Sequence, residues 1–402
     1  MPIYGSVTVP SNHAAAGSRF ISQTGARWPR FAILAALVIL ETLLIAPQLK
    51  HDDFDQYWAG ARLLLQHRDP YNPAALFHLE QASGSTAPRV VELMLPPWTL
   101  PALVPLGWLS YHTARLLWFA SGLSLTIAAA ELLWQIYAVP GLPDWRPLLL
   151  ALTFPANLSA IFDGQILPVI LFCLAAFLRL SRSRHSILLG VSLLGLGIKP
   201  HLTYLLALAA GLFLLKEHRW KSLLTIAAGL LLSCALVAWW APGAFPGYRA
   251  AAVETTRVVS GIGGLLRAHF GMQHHWLQFV PLLPGLSWLA WYRPRLRGWD
   301  WPRLLPILLL ASLVTSVYGW WYDASLLTVA LMAAVVRWRN LAPLAKRVVA
   351  VGYLVAAAAQ AATPMFSLET RFYVWIPAAL LLLYAATNPA LWPQQTYARC
   401  LG

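Results

Sequence analysis

The residues with the strongest claim to chemistry fall in a few short segments. His51-Asp52-Asp53-Phe54-Asp55-Gln56-Tyr57-Trp58 sets several carboxyls at the start of a stretch with helical spacing, which runs to Leu65 and meets the turn signal Asp69-Pro70-Tyr71-Asn72-Pro73. Asp53 and Tyr57 are four residues apart, so one helix face carries both. A carboxylate held there is suited to take a proton from an attacking hydroxyl as a general base. Acids at a helix start also serve as caps and favour the helix dipole, and spacing alone leaves both roles open. Lys199 is the one lysine of five set inside a long apolar stretch. A cation at membrane depth costs roughly 2.5 to 3.5 kcal/mol on insertion scales, so such a lysine calls for a task. With Pro200 ending one helix and His201 alongside, a phosphate at the membrane interface fits; snorkelling, or an internal pair with Asp163, is the alternative.

Asp163-Gly164-Gln165 and Tyr322-Asp323 are polar breaks of the same kind. Asp163 and Gln165 could bind sugar hydroxyls or orient a neighbour, Gly164 permits a tight turn, and either acid, Asp163 or Asp323, could instead cap a short helix. Trp320 and Tyr322, in Gly319-Trp320-Trp321-Tyr322, could stack on a sugar ring or belong to an interfacial aromatic belt. Arg257, Arg267 and His269 lie in a basic segment whose one acid is Glu254, suited to a phosphate or to anionic lipid headgroups. His274 and His275 are neighbours and do not face one another on a helix, so a metal site is poorly supported. No P-loop, nucleophile elbow, HExxH or dinucleotide fingerprint is present, and no cofactor is implied.

Long apolar elements must position these groups. Three stretches share one design: about 30 residues, basic flanks at both ends and a polar break in the middle. Leu148 to Leu180 breaks at Asp163-Gly164-Gln165, Ile187 to Leu215 at Lys199-Pro200-His201, and Leu304 to Val336 at Gly319 to Asp323. One membrane span needs about 20 apolar residues, so each stretch reads as a hairpin of short helices with both basic ends cytoplasmic and the polar tip outward. Non-helical polar backbone at membrane depth is tolerated where it is buried in protein or lines a wet cavity. The three tips and the acidic segment are therefore expected to converge on an outward-facing cavity.

Composition agrees with a membrane setting. Of 402 residues 59% are hydrophobic and 11% charged, against roughly 25% charged in a soluble domain. The formal net charge of +14 comes from short basic clusters between apolar runs, the positive-inside pattern rather than a nucleic-acid footprint. Three cysteines form no pair pattern, so neither a disulfide frame nor a zinc site follows. Residues 1–30 read as a cytoplasmic tail, 31–390 as a single transmembrane domain with outer loops 48–93 and 242–275, and 391–402 as a short tail. Phe31 to Pro47 is the expected uncleaved first span, and Leu116 to Val139, Ser222 to Ala241, Trp276 to Tyr292, Val348 to Thr363 and Val374 to Ala386 are further ones. The total is about 12 or 13 membrane segments in an all-α, multi-pass protein of the cell membrane. Parity does not close if Pro-rich Leu93 to Leu109 is a full crossing.

Taken in order, Asp53-Phe54-x-x-Tyr57-Trp58, Ala61-Arg62-Leu63-Leu64, Asp69-Pro70-Tyr71-Asn72-Pro73, Leu95-Pro96-Pro97, Gly164-Gln165, Lys199-Pro200-His201 and Tyr318-Gly319-Trp320-Trp321-Tyr322-Asp323 resemble the signature of glycosyltransferase family 87. This is the polyprenol-phosphate-mannose-dependent mannosyltransferase-like group of the GT-C membrane glycosyltransferases. The resemblance covers about residues 31 to 336, with Leu95 standing where the family tends to have Tyr. It implies a GT-C helical bundle with its active site on the non-cytoplasmic side. It also implies transfer of a sugar, mannose as first choice, from a polyprenyl-phosphate donor to a lipid-linked or glycan acceptor of the cell envelope. Asp53 matches the family's catalytic base, and the scheme requires no metal. Lys199, His201, Arg257, Arg267 and His269 would then hold the donor phosphate, with Tyr57, Asp163, Gln165, Trp320, Tyr322 and Asp323 around the substrates. The competing reading is a lipid or glycolipid carrier that uses the same cavity without catalysis; it predicts two-sided access and often inverted repeats, and no repeat is visible.

Overall fold

A computed structural model describes residues 28–45, 51–138, 145–255, 261–296, 298–365 and 374–387. Among them all regular structure is helical. The chain divides into two compact units, residues 1–48 and 49–402. The first contains α1 (Trp28–Ile45), the expected first span, whose Ile33, Ile39, Leu43 and Leu44 are exposed.

In the second unit the segment read as an outer loop is itself folded into α2 (Phe54–Leu65) and α3 (Pro73–Ala82). Asn72 starts α3: its side chain accepts from the Ala75 amide at 3.0 Å, and Pro73 takes the first helical position, where a missing N–H does no harm. Leu93 to Leu109 forms a 3-10 turn at Pro97–Thr99 and the eight-residue α4 (Leu100–Gly107), too short for a crossing. Its prolines remove amide donors and confine the helix, which accounts for the difficulty in the topology count. α4 packs on α2 at Gly107, where a Cβ would meet the Ala61 carbonyl at 2.9 Å. Arg62 Nη1 donates to the Gly107 carbonyl at 2.6 Å and Trp58 Nε1 to that of Leu109 at 3.1 Å, tying the two helices together.

α5 (Tyr111–Tyr137) begins at Ser110, whose hydroxyl accepts from the Thr113 amide at 3.2 Å. The three long apolar stretches break where expected. Leu148 to Leu180 becomes α6 (Arg146–Thr153), α7 (Pro155–Phe162) and α8 (Leu167–Leu180). Here the Asp163 turn is joined by a second break, at Phe154-Pro155. The next stretch forms α9 (Ser186–Leu194), a 3-10 turn at Gly195–Ile198 and α10 (Pro200–Lys216). The last forms α15 and α16, named below, around a 3-10 turn at Trp321–Leu327.

Between them come α11 (Trp220–Trp240), α12 (Ala244–Thr255), α13 (Gly261–Phe270) and α14 (Leu282–Tyr292). α15 (Trp301–Val314), α16 (Thr328–Arg337), α17 (Pro343–Met365) and α18 (Trp375–Ala386) complete the order. The core sits where α8, α10, α15 and α16 meet, with Leu171, Leu174, Leu205, Leu308, Leu309 and Met332 at 1% exposure or less. By length and composition α5, α11 and residues 343–362 of α17 can cross a membrane. α11 and α17 leave Leu224, Leu231, Leu232, Val351 and Leu354 more than half exposed, an apolar surface larger than isolated leucines on a soluble protein.

Candidate active site

Asp53 takes the N-cap position of α2, yet its side chain makes no capping hydrogen bond. The carboxylate turns instead toward two amides. Gln56, one turn along, donates to Oδ1 at 3.1 Å, and Gln165 Nε2 donates to Oδ2. Gln165 arrives from the turn between α7 and α8, and that turn needs Gly164. Gly164 stands at φ +64°, where a Cβ would lie 2.4 Å from Arg115 Nη1 and 2.7 Å from Phe54 Cβ.

The other end of the Gln165 amide accepts two donors: Lys199 Nζ at 3.1 Å and the Tyr57 hydroxyl at 3.3 Å. This orientation follows from charge, since the amide NH₂ belongs against a carboxylate and its oxygen against an ammonium. Lys199 sits at the non-helical joint between the Gly195–Ile198 turn and α10, with φ −126° and ψ 74°. Its ammonium also pairs with Asp323 Oδ1 at 3.0 Å and lies 5.0 Å over the Tyr322 ring. Asp323 caps the 3-10 turn that carries it, accepting from the Trp320 amide at 2.8 Å. Asp53, Gln165, Lys199 and Asp323, brought from four separate segments, thus form one continuous polar chain.

Around this chain the structure refines the expectations. Lys199 pairs with Asp323 and not with Asp163; Asp163 accepts from Trp321 Nε1 at 3.2 Å. Tyr57 and Tyr322 are 2% and 5% exposed, so each supports the polar chain from behind, and neither offers a ring face to a ligand. Trp320 is more open and lines a small cavity with Leu202, Ser316, Gly319 and Asp323. His201 stacks on Tyr318 at 4.0 Å, with Nε2 buried and without a hydrogen-bond partner. Arg267 does not reach the polar chain. Its guanidinium is 1% exposed and donates to the Met272 carbonyl at 2.6 Å and to Gln278 Oε1 at 3.3 Å, closing its own loop. His269 is exposed and packs edge-on against Phe270, and Arg257 lies outside the described residues.

Two neighbours escaped the sequence reading. Arg115, the fifth residue of α5, is 4% exposed, donates to the Phe162 carbonyl at 3.3 Å and lies 5.2 Å over the Phe54 ring. Its signal was a lone arginine four residues after Tyr111 at the mouth of an apolar run. The second is a cluster under α2: buried Asp55 accepts from the Tyr111 hydroxyl at 2.5 Å and pairs with His51 Nδ1 at 2.9 Å.

Burial raises Asp53 above the ordinary carboxylate range, with the Lys199 charge and hydrogen bonds from Gln165 and Tyr322 opposing it. Asp52 is pushed up to about 8, by burial first and then by the charges of Asp53 and Asp163, against the pull of Arg115. The Asp53 charge opposes ionisation of Asp52, whereas Lys199 and the Gln165 amide favour the ionised form of Asp53. An ionised carboxylate with lone pairs to spare, beside an ammonium with a third N–H, can accept a proton and stabilise a nearby anion in one place. The chain matches no family model, no curated protein and no solved structure.

Proposed function

We propose that this chain is a polytopic membrane glycosyltransferase of GT-C type. In this reading it moves a sugar, mannose as first choice, from a polyprenyl-phosphate donor to a lipid-linked or glycan acceptor at the non-cytoplasmic face of the cell membrane. The single observation that carries the reading is the polar chain Asp53–Gln165–Lys199–Asp323, assembled from four segments within an otherwise apolar helical protein. A packing scaffold has no need to link two carboxylates through one amide and one ammonium, because each buried polar group costs free energy unless it is fully partnered. The ordered motifs that resemble glycosyltransferase family 87 contain each of these residues.

The acceptor hydroxyl oxygen attacks the anomeric carbon while Asp53 removes its proton. The bond from that carbon to the phosphate oxygen breaks with its electron pair leaving on the phosphate, and the configuration inverts. Lys199 offers its remaining N–H to the departing phosphate oxygen, and Asp323 holds the ammonium in line. Gln165 keeps base and cation in register through one planar amide. A prenyl tail must be met in the plane of the bilayer, and the exposed apolar faces of α11 and α17 are compatible with that setting.

The test incubates purified protein with labelled polyprenyl-phosphate mannose and a lipid extract. The expected result is a labelled lipid-linked or glycan product. Movement of lipid between leaflets with no product from any polyprenyl-phosphate sugar would favour the carrier.

A further inference from the structure

A second cavity, of about 520 Å³, opens at the far end of α10. Lys216, the last residue of α10, and Arg293, just past α14, supply its charge; Leu212, Pro294, Leu296 and Trp299 supply an apolar wall. α10 is 17 residues long, so its two ends stand about 25 Å apart along the axis. That distance is close to the thickness of the hydrocarbon core, and it separates this cavity from Lys199 at the other end of the same helix.

Both cations are exposed, and neither has a hydrogen-bond or ion-pair partner among the described residues. Among the described residues no acid lines the cavity. Glu217, the exposed C-cap residue of α10, follows Lys216, and Asp300, next after Trp299, is held by Arg182 at 3.3 Å and Arg303 at 3.0 Å. The wall is fixed by Trp299, which packs edge-on against Phe213 at 5.4 Å and stacks on Trp301 at 5.9 Å. Trp299 holds φ +49°, a backbone conformation uncommon for a non-glycine residue.

Two free cations over an apolar wall, at the end of membrane-length apolar stretches, match the two parts of an anionic amphiphile. We propose that this cavity binds the phosphate headgroup of an anionic phospholipid from the cytoplasmic leaflet, the phosphate between Lys216 and Arg293 and the glycerol and first acyl carbons against Leu212, Leu296 and Trp299. Basic pockets between membrane helices hold lipid headgroups in this way. The assignment rests on the membrane reading above but is independent of glycosyl transfer. It makes the cavity a lipid site opposite the candidate active site.

The experiment reconstitutes the full chain into phosphatidylcholine vesicles with and without phosphatidylglycerol, then extracts it in mild detergent and counts retained lipid by native mass spectrometry. Wild type is expected to retain phosphatidylglycerol over phosphatidylcholine. The Lys216→Ala/Arg293→Ala pair should weaken that preference by at least about tenfold, while Asp53→Asn leaves it unchanged. Both replaced residues are exposed, and Leu212→Trp, which fills the cavity without touching its charge, provides an independent loss of retention. Equal retention by wild type and the double variant overturns the proposal. So does occupancy by inorganic phosphate at millimolar concentration with no lipid retained, which would assign the cations to a free anion. A chain that does not enter phosphatidylcholine vesicles overturns this proposal together with the membrane reading, whereas one that enters them and shows no lipid preference overturns the proposal alone.

Discussion

Asp53 is a residue whose surroundings pull in opposite directions: burial raises its proton affinity and Lys199 lowers it. A base in this position is lost as pH falls through its raised value, so the acid limb of transferase activity should lie above the usual carboxylate range near 4. Lys199→Ala removes the largest opposing charge, and the limb should then move to higher pH in a pH–rate profile; an unmoved limb would separate the two residues. Glu80 offers a stability counterpart. Its carboxyl is fully buried, with Oε2 accepting from the Val91 amide at 3.1 Å and Oε1 unpartnered, and burial pushes it up to about 7 from an ordinary 4.5. Across that window the folded chain binds more protons than the unfolded one, so stability falls as pH rises from about 4.5 to about 7. Glu80→Gln should flatten this slope in thermal melts recorded in detergent at a series of pH values.

At the scale of elements, the site depends on where helices stop. Gly164 ends α7 in a left-handed turn pressed against Arg115 and Phe54, so Gly164→Ala should destabilise the protein by about 1 to 3 kcal/mol and reduce transfer at least tenfold. Gly211→Ala, within α10 and with open space at its Cβ position, is the control and should be neutral or slightly stabilising in the same melts. The breaks at Asp163, Lys199 and Gly319–Asp323 were legible because Gly, Pro and charged residues interrupt long apolar runs, and such interruptions have few structural explanations. The pairing of Lys199 with Asp323 was not legible. Periodicity says which face of a helix a residue shares, but not which of two distant turns reaches it. Arg115 was missed because it stands one residue outside the apolar run beginning at Leu116 and reads as an ordinary basic flank. Of the helices within the segments expected as outer loops, α2 was legible in the helical spacing up to Leu65, whereas the short α3, α12 and α13 were read as connections. Arg267 shows a further limit: an arginine suited to phosphate by type is used to close its own loop.

For the molecule as a whole, the proposed orientation puts the polar chain outward and the basic flanks inward. With the native cysteines replaced, Gln81→Cys on α3 and Arg184→Cys before α9 place one exposed thiol on each side. A membrane-impermeant maleimide should label Gln81→Cys and spare Arg184→Cys in intact spheroplasts, and the reverse labelling would invert the orientation. Asp53, Gln165, Lys199 and Asp323 lie far apart in the chain and come together only because apolar helices break and turn in register. A fold that places a base beside a cation in this way should lose chemistry, and not binding, when the base alone is neutralised. The most direct measurement is therefore transfer by Asp53→Asn from labelled polyprenyl-phosphate mannose, made alongside equilibrium binding of the same donor. The account predicts donor affinity within a few-fold of wild type and product formation reduced by at least about a hundredfold, the usual scale for removal of a general base. Product formation at the wild-type rate would contradict it.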